Sequence, residues 1–386
     1  MIKKIQLHAP HFGKDEIDYL SNCIKSGWVT TKGKYVDEFQ NKIKSLTKSK
    51  FVLPTINATS ALHISLLLSH VKRGEEVIVP TITYIATVNS IKYVGASPIF
   101  MDAEDDLNIS VEKVKKFLDN ETITRKGFTF NKKTKKKISA IIVVHTFGNA
   151  VDIKKLIKIC RKKRIKLIED AAESLGTFYT QKYLNSKHTG TIGDFGCVSF
   201  NGNKIITTGG GGAILTNNKK KYLDGSYLCD QAKDDSIFSV HNNTGYNYKL
   251  SNIHSALGCA QFKKLKLYIQ KKKKIFKNYC KLFKGNKDFY ILKPKNFFSP
   301  NYWLIILVLK NQKKTNLRNL ISRLKKNNIE TRPIWKANHL QKPYKIYQSY
   351  KIEKANKIIN THLCIPSSPD LTYSEQKKIY KLILSI

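Results

Sequence analysis

Apolar positions in the first 170 residues alternate between helical spacing and short unbroken runs. Asp15 to Ile24 and Val36 to Leu46 predict amphipathic helices, and Ser60 to Leu68 a third. Glu76 to Val79 predicts a short buried strand, followed by a helix from about Tyr84 to Tyr93. Pro98 to Met101 predicts a strand and Val111 to Leu118 a helix. Ile138 to His145 is β-branched and apolar throughout, the pattern of a strand buried on both faces. Asp152 is placed to cap a helix running to about Lys163, with a strand at Ile165 to Ile168. Strands separated by helices of this length predict a mostly parallel α/β sheet with helices on both faces.

The texture changes near residue 250. Leu250 to about Phe283 predicts one long helix, Tyr302 to Val308 a strand, and Thr315 to Lys325 a helix. Thr372-Tyr-Ser-Glu375 is a capping box opening a last helix. The expectation is a large α/β domain over 1–250 and a smaller α+β domain over 251–386, with no internal repeats.

Composition adds one unusual feature. With 41% hydrophobic residues, 20 Gly and 10 Pro, the 386-residue chain is an ordinary globular one, large enough for two cores. Lys and Arg total 69 against 28 Asp and Glu, a net charge of +41. Such an excess raises nucleic acid or an anionic membrane as partners. The split is 62 Lys to 7 Arg, however, and sites that grip phosphates or base edges favour the arginine fork. The lysines are therefore expected on solvated faces, where they steer anionic substrates, with neither nucleic acid nor membrane as partner. Seven cysteines without a C-x-x-C pair fit reduced thiols, with no disulfide framework or metal site. The segment Met1 to His8 lacks the apolar stretch of a signal peptide, and the runs Ala140–Val144 and Leu304–Leu309 are only strand-length. A cytoplasmic location is expected.

Three segments carry candidate chemistry. Ser199-Phe-Asn-Gly-Asn-Lys204-Ile-Ile-Thr-Thr208 leads into four glycines and a strand ending at Thr216. One lysine thus sits in a polar loop whose glycines let the backbone approach a ligand. A flexible hairpin with an exposed lysine fits the same residues. Asp170, in Leu167-Ile-Glu-Asp170-Ala-Ala-Glu173, ends a strand where open α/β sheets bind ligands; a plain helix cap fits equally. Asn57-Ala-Thr59-Ser60 opens a helix, where free N–H groups bind phosphate, although a plain N-cap is the blander reading.

Together these are the parts that pyridoxal phosphate requires: a Schiff-base lysine, a carboxylate for the pyridinium nitrogen and a helix start for the phosphate. The chain resembles the DegT/DnrJ/StrS sugar aminotransferases, within the fold type I pyridoxal-phosphate enzymes, from Leu7-His-Ala-Pro to Pro366-Ser-Ser-Pro369. The resemblance implies a mostly parallel seven-stranded sheet. It implies Lys204 as the Schiff-base and proton-shuttling lysine, Asp170 at the ring nitrogen, and Glu173 near the ring hydroxyl, where Gln is more frequent. Tyr84 would stack on the ring, its alternative being a core aromatic at a helix start. Thr59, Ser60 and Ser199 would hold the phosphate, and Asn247 would reach it from the partner subunit of a homodimer. Ala58 stands where Gly is usual, Gly210 where an acidic residue is usual, and Lys249 where Arg is common.

Finer features resemble the enzymes of bacillosamine and legionaminic-acid pathways: Ser26-Gly-Trp28-Val, Lys34-Tyr-Val-Asp-Glu38-Phe and Arg332-Pro-Ile-Trp335-Lys-Ala-Asn-His339. They imply transfer of the glutamate amine to C4 of UDP-2-acetamido-2,6-dideoxy-hexos-4-ulose. Trp28, Trp335 and His339 become candidate substrate contacts, with a small-domain core pair as the other reading of the last two. A GDP-4-keto-6-deoxymannose 4-aminotransferase of the perosamine type is the alternative within the class. Outside it stands a basic nucleic-acid-binding regulator that keeps the fold without catalysis.

Overall fold

The computed structural model describes residues 4–182, 184–310 and 316–385. Met1–Lys3, part of the segment in which no leader is expected, lie outside them, as does Thr315, where a helix is expected to begin.

An eight-stranded sheet forms the centre. Its order is Phe51–Thr55, Gly212–Thr216, Phe195–Ser199, Lys166–Asp170, Ile138–Val144, Glu76–Pro80, Ser97–Met101 and Ser349–Tyr350. Gly212–Thr216 runs antiparallel to both neighbours, and every other pairing is parallel. Seven strands come from the first 216 residues, matching the expected number. The eighth is a two-residue strand from the C-terminal part, too short to leave a periodic signal.

Strand residues alternate between two cores, as the pleat requires. Val77, Val79, Ala140, Ile142 and Ile168 pack in one cluster with Leu62 and Ile64 of the helix Ala58–Leu68. Ile78, Ile141, Val143 and Leu167 pack on the other face with Val114 and Phe117 of Val111–Asn120 and Leu156 of Ile153–Lys163. Helices therefore cover both faces. Asp152 occupies the N-cap of the last of these helices, but its side chain makes no capping bond.

Beyond residue 250 the expected long helix is two, Asn252–Phe262 and Leu265–Leu282. The N–H groups of Lys263 and Lys264 bond three residues back, to Ala260 and Gln261, so the chain tightens for a turn. That turn aims Lys264 at the buried Glu16 carboxylate (2.7 Å) and Lys263 at Asp15 (3.1 Å). The strand expected from Tyr302 starts only at Ile305, because Tyr302 is left-handed (φ 55°) and breaks the extended run. A four-stranded antiparallel sheet, Phe289–Ile291, Ile305–Leu309, His362–Ile365 and Arg332–Pro333, builds its own core with Ile275, Tyr279, Leu320 and Ile379. Thr372 and Glu375 form the expected capping box. The helix expected over 315–325 runs Leu317–Lys326, capped by Asn316. Among the described residues no helix is long and apolar enough to cross a membrane.

Candidate functional site

The C-terminal ends of the strands Ile138–Val144, Lys166–Asp170 and Phe195–Ser199 open on a cleft of about 270 Å³. This is the edge at which open α/β sheets bind ligands. Lining it are Ala58 and Thr59 at a helix start, Tyr84, Asp170, Glu173, Ser199, Lys204, Trp303 and Trp335.

Lys204 is carried by the turn between two adjacent strands. Phe200 N–H donates to Gly211 O (2.9 Å) and Thr208 N–H to Phe200 O (2.8 Å), closing the base of the loop. The lysine side chain is largely buried. Its Nζ lies 3.5 Å from Glu173 Oε1 and 4.1 Å from the centre of the Trp303 ring. The alternative of an exposed hairpin lysine is excluded by this placement.

Asp170 is buried, and burial pushes its carboxyl above the usual range. Thr87 Oγ1–H (2.6 Å) and the Ala172 N–H (3.1 Å) donate to it and oppose that shift, as does the charge of Lys204. Burial pushes Glu173 up to about 7, against the pull of Lys204 and of the Phe147 N–H, which donates at 2.8 Å. Phe147 is left-handed (φ 53°), which turns its N–H toward Glu173 as the chain leaves the strand. Its buried ring stacks against Trp335 (4.5 Å) and Trp303 (6.0 Å), both of which line the cleft.

The helix start is shaped by two residues. Asn57 Oδ1 accepts the Ser60 N–H (2.8 Å) and caps the helix. Gly212 lets the strand pass beneath it: a Cβ there would lie 2.6 Å from Ala58 N. Thr59 faces the cleft, whereas Ser60 is buried in the first turn and does not line it. Gly210 has room for a side chain, with a Cβ 3.6 Å from Ile56 O, so the missing acidic residue reflects no steric demand. Lys249 makes a single-point ion pair with Asp230 (2.8 Å).

The other candidates are dispersed. Tyr84 occupies the N-cap position of the helix Ile85–Tyr93 without a capping bond and is 59% exposed at the cleft mouth, its ring 6.3 Å from Trp335, so it is no core aromatic. Asn247 is exposed and outside this chain's cleft. Trp28 is exposed too, and its carbonyl accepts from Asn252 Nδ2 (2.6 Å). His339 binds Thr81 Oγ1 through Nδ1 (2.7 Å) and does not line the cleft, which parts it from Trp335.

Thr87, Phe147 and Trp303 are site residues that sequence reasoning missed. Thr83 and Thr87, hydroxyls four apart at a helix start and 2.9 Å from each other, were a usable signal for the first. Trp303 offered only its rarity, as one of three tryptophans.

Known proteins resemble the chain over its whole length. It is 34% identical over 386 residues to GDP-perosamine synthase of Escherichia coli O157:H7, covering 98% of this chain and 97% of that one. It is 28% identical over 388 residues to the UDP-4-amino-4,6-dideoxy-N-acetyl-beta-L-altrosamine transaminase of Campylobacter jejuni serotype O:2, covering 97% and 95%. The fold matches that of Helicobacter pylori PseC, an aminotransferase involved in the biosynthesis of pseudoaminic acid, with a TM-score of 0.87 over 99% of each chain at 23% identity. The family profile matches residues 10–384, and the chain belongs to the DegT/DnrJ/EryC1/StrS aminotransferase family.

Proposed function

We propose that this protein is a pyridoxal-phosphate aminotransferase that moves an amino group from glutamate to C4 of a nucleotide-linked 4-keto-6-deoxy sugar. The observation that carries the reading is the convergence of Lys204, Asp170 and a capped helix start on one cleft. The donor set fits the cofactor: an amine for its aldehyde, a buried carboxylate for its ring nitrogen, and N–H groups at a helix start for its phosphate. When bound, the cofactor supplies an electron sink for the carbon that loses its proton.

The side chains then have distinct tasks. Lys204 would hold the cofactor through its amine and move protons at its Nζ. Asp170 holds the ring nitrogen protonated, its own ionisation favoured by Thr87 and the Ala172 N–H. Glu173, its carboxyl raised by burial, would lie near the ring hydroxyl. Thr59 and Ser199 bind phosphate, while Tyr84 covers the ring from the mouth. Asn247 completes the phosphate site of a second copy in a homodimer, and Trp28, Trp335 and His339 are substrate contacts.

The motifs around Trp28 and Trp335 support the UDP-linked 2-acetamido sugar as acceptor. The GDP-linked reading is supported by the higher identity to GDP-perosamine synthase, 34% against 28% for the UDP-sugar transaminase. Purified protein is expected to show the absorbance band of lysine-bound cofactor and to lose it in Lys204→Ala. A band unchanged in that variant overturns the assignment. Offering UDP- and GDP-linked 4-keto sugars with glutamate, and identifying the amino sugar, decides the acceptor.

A further inference from the structure

Among the described lysines, Lys272 stands apart: it lies in the middle of the helix Leu265–Leu282 and is completely buried. Among the described residues it makes no ion pair within 4 Å; burial pushes its amine well below the usual lysine range, and the distant charge of Asp370 opposes that shift. An ammonium enclosed without an anion is costly, and a methionine of similar length fills such space at less cost. What surrounds it is a set of acceptors. Lys272 Nζ donates to Trp303 O (3.0 Å), Ser367 O (2.5 Å) and Ser367 Oγ (3.4 Å), and Ser367 Oγ–H donates to Trp303 O as well (3.1 Å).

Those bonds converge on the residue that covers Lys204. Trp303 follows the left-handed Tyr302, an unfavourable conformation for a bulky residue, so the direction of its peptide must be imposed from outside. Its N–H is fixed by Asn301 Oδ1 (2.9 Å) and its C=O by Lys272 and Ser367. At the other end its indole N–H donates to Asn203 O (2.8 Å), the residue before Lys204, and its ring lies 4.1 Å from Lys204 Nζ. We propose that Lys272 is a positioning residue for Lys204, fixing the Trp303 main chain so that the indole covers the lysine nitrogen.

This rests on the reading of Lys204 as the cofactor lysine. The charged and titratable groups facing the pair are Glu173 and Asp170 beside Lys204, Asp370 near Lys272, and His8 near both lysines. Burial and the two lysines hold His8 neutral. A ring over the nitrogen favours its cationic form, whereas a second lysine acting merely as a nearby charge disfavours it. The two roles thus predict opposite signs.

The test is the pH titration of the lysine-bound cofactor band in Lys272→Met, Trp303→Leu and Ser367→Ala. Losing the ring is expected to lower the midpoint by about half a pH unit, roughly a threefold change in the protonation constant. Lys272→Met should shift it downward as Trp303→Leu does, and Ser367→Ala by less in the same direction. Near-UV circular dichroism of the cofactor-free variants should show the changed tryptophan environment. An upward shift in Lys272→Met assigns it a through-space charge effect and overturns the proposal, as does an unshifted midpoint. If Lys272→Met does not fold, Ser367→Ala decides, and an unshifted midpoint there overturns it. Absence of the band in the unmutated protein, or its persistence in Lys204→Ala, instead overturns the assignment of Lys204.

Discussion

Thr87→Val isolates the support of Asp170. Valine keeps the shape of threonine, so the change removes the hydroxyl that donates to Asp170 Oδ2 at 2.6 Å, and with it the partner of Thr83 Oγ1 (2.9 Å), while leaving the apolar packing of the helix start. Asp170 is buried, and its two donors are Thr87 and the Ala172 N–H. A hydrogen bond to a charged group contributes about 1.5–3 kcal/mol. Without it the carboxyl, already raised by burial, rises further and is less readily ionised to pair with the cofactor ring. Cofactor affinity should therefore fall by about 10- to 150-fold. Titration of the protein with pyridoxal phosphate, followed by the absorbance of the bound form, measures this directly. The loss should be largest on the acid side of neutrality, where protonation of Asp170 competes most. Thr87→Ser, which restores the donor, should recover most of the affinity. An affinity for Thr87→Val within twofold of the unmutated protein at every pH refutes the idea that this hydroxyl holds Asp170 ionised.

Glu173→Gln should change how the stability of the cofactor-free protein depends on pH. The folded-state carboxyl sits at about 7 against an ordinary value of 4.5, so the folded state binds its proton more tightly. Stability from this group is full below about 4.5 and is lost as pH rises to about 7. The melting temperature of Glu173→Gln should thus gain on that of the unmutated protein between pH 5 and 7.5, and parallel curves contradict this. Gly212→Ala places a Cβ 2.6 Å from Ala58 N, so a destabilisation of about 1–3 kcal/mol and weakened cofactor binding are expected; unchanged melting and binding would show that the helix start yields freely. Mixing and re-associating inactive Lys204→Ala and Asn247→Ala proteins should restore about a quarter of the sites if Asn247 is donated across a two-fold dimer. No recovery places Asn247 on its own chain's site or outside the site altogether.

Much of the sheet was legible because its strands are short apolar runs and its helices carry a clear periodic stripe. Phe51–Thr55 escaped because Pro54 cuts its apolar run to the three residues Phe51–Leu53. The helix Lys219–Cys229 escaped because three lysines open it and it buries only Gly225 and Cys229. The break at Lys263–Lys264 places those lysines on carboxylates 248 residues upstream, which local periodicity does not register. In the site, Lys204, Asp170 and Thr59 were readable because each sits in a local pattern of strand end, glycine loop or helix start. Trp303 and Phe147 were not, because both act through backbone turns that bring distant segments together: Tyr302 and Phe147 adopt left-handed conformations although neither is a glycine. Ser60 misled because a hydroxyl in the first turn looks the same whether it faces a cleft or the core.

The strand Ser349–Tyr350 has a consequence for how the chain is made. It pairs in parallel with Ser97–Met101 and so completes an edge of the main sheet some 250 residues after that edge is synthesised. Until residue 350 leaves the ribosome, Ser97–Met101 presents unpaired peptide groups, the condition in which nascent chains associate wrongly. A fragment ending near residue 250 would hold the lysine loop and Asp170 yet keep that edge open. Production of the cofactor-binding half alone should therefore favour aggregates, and the C-terminal part acts in synthesis as the cover for a strand finished long before it.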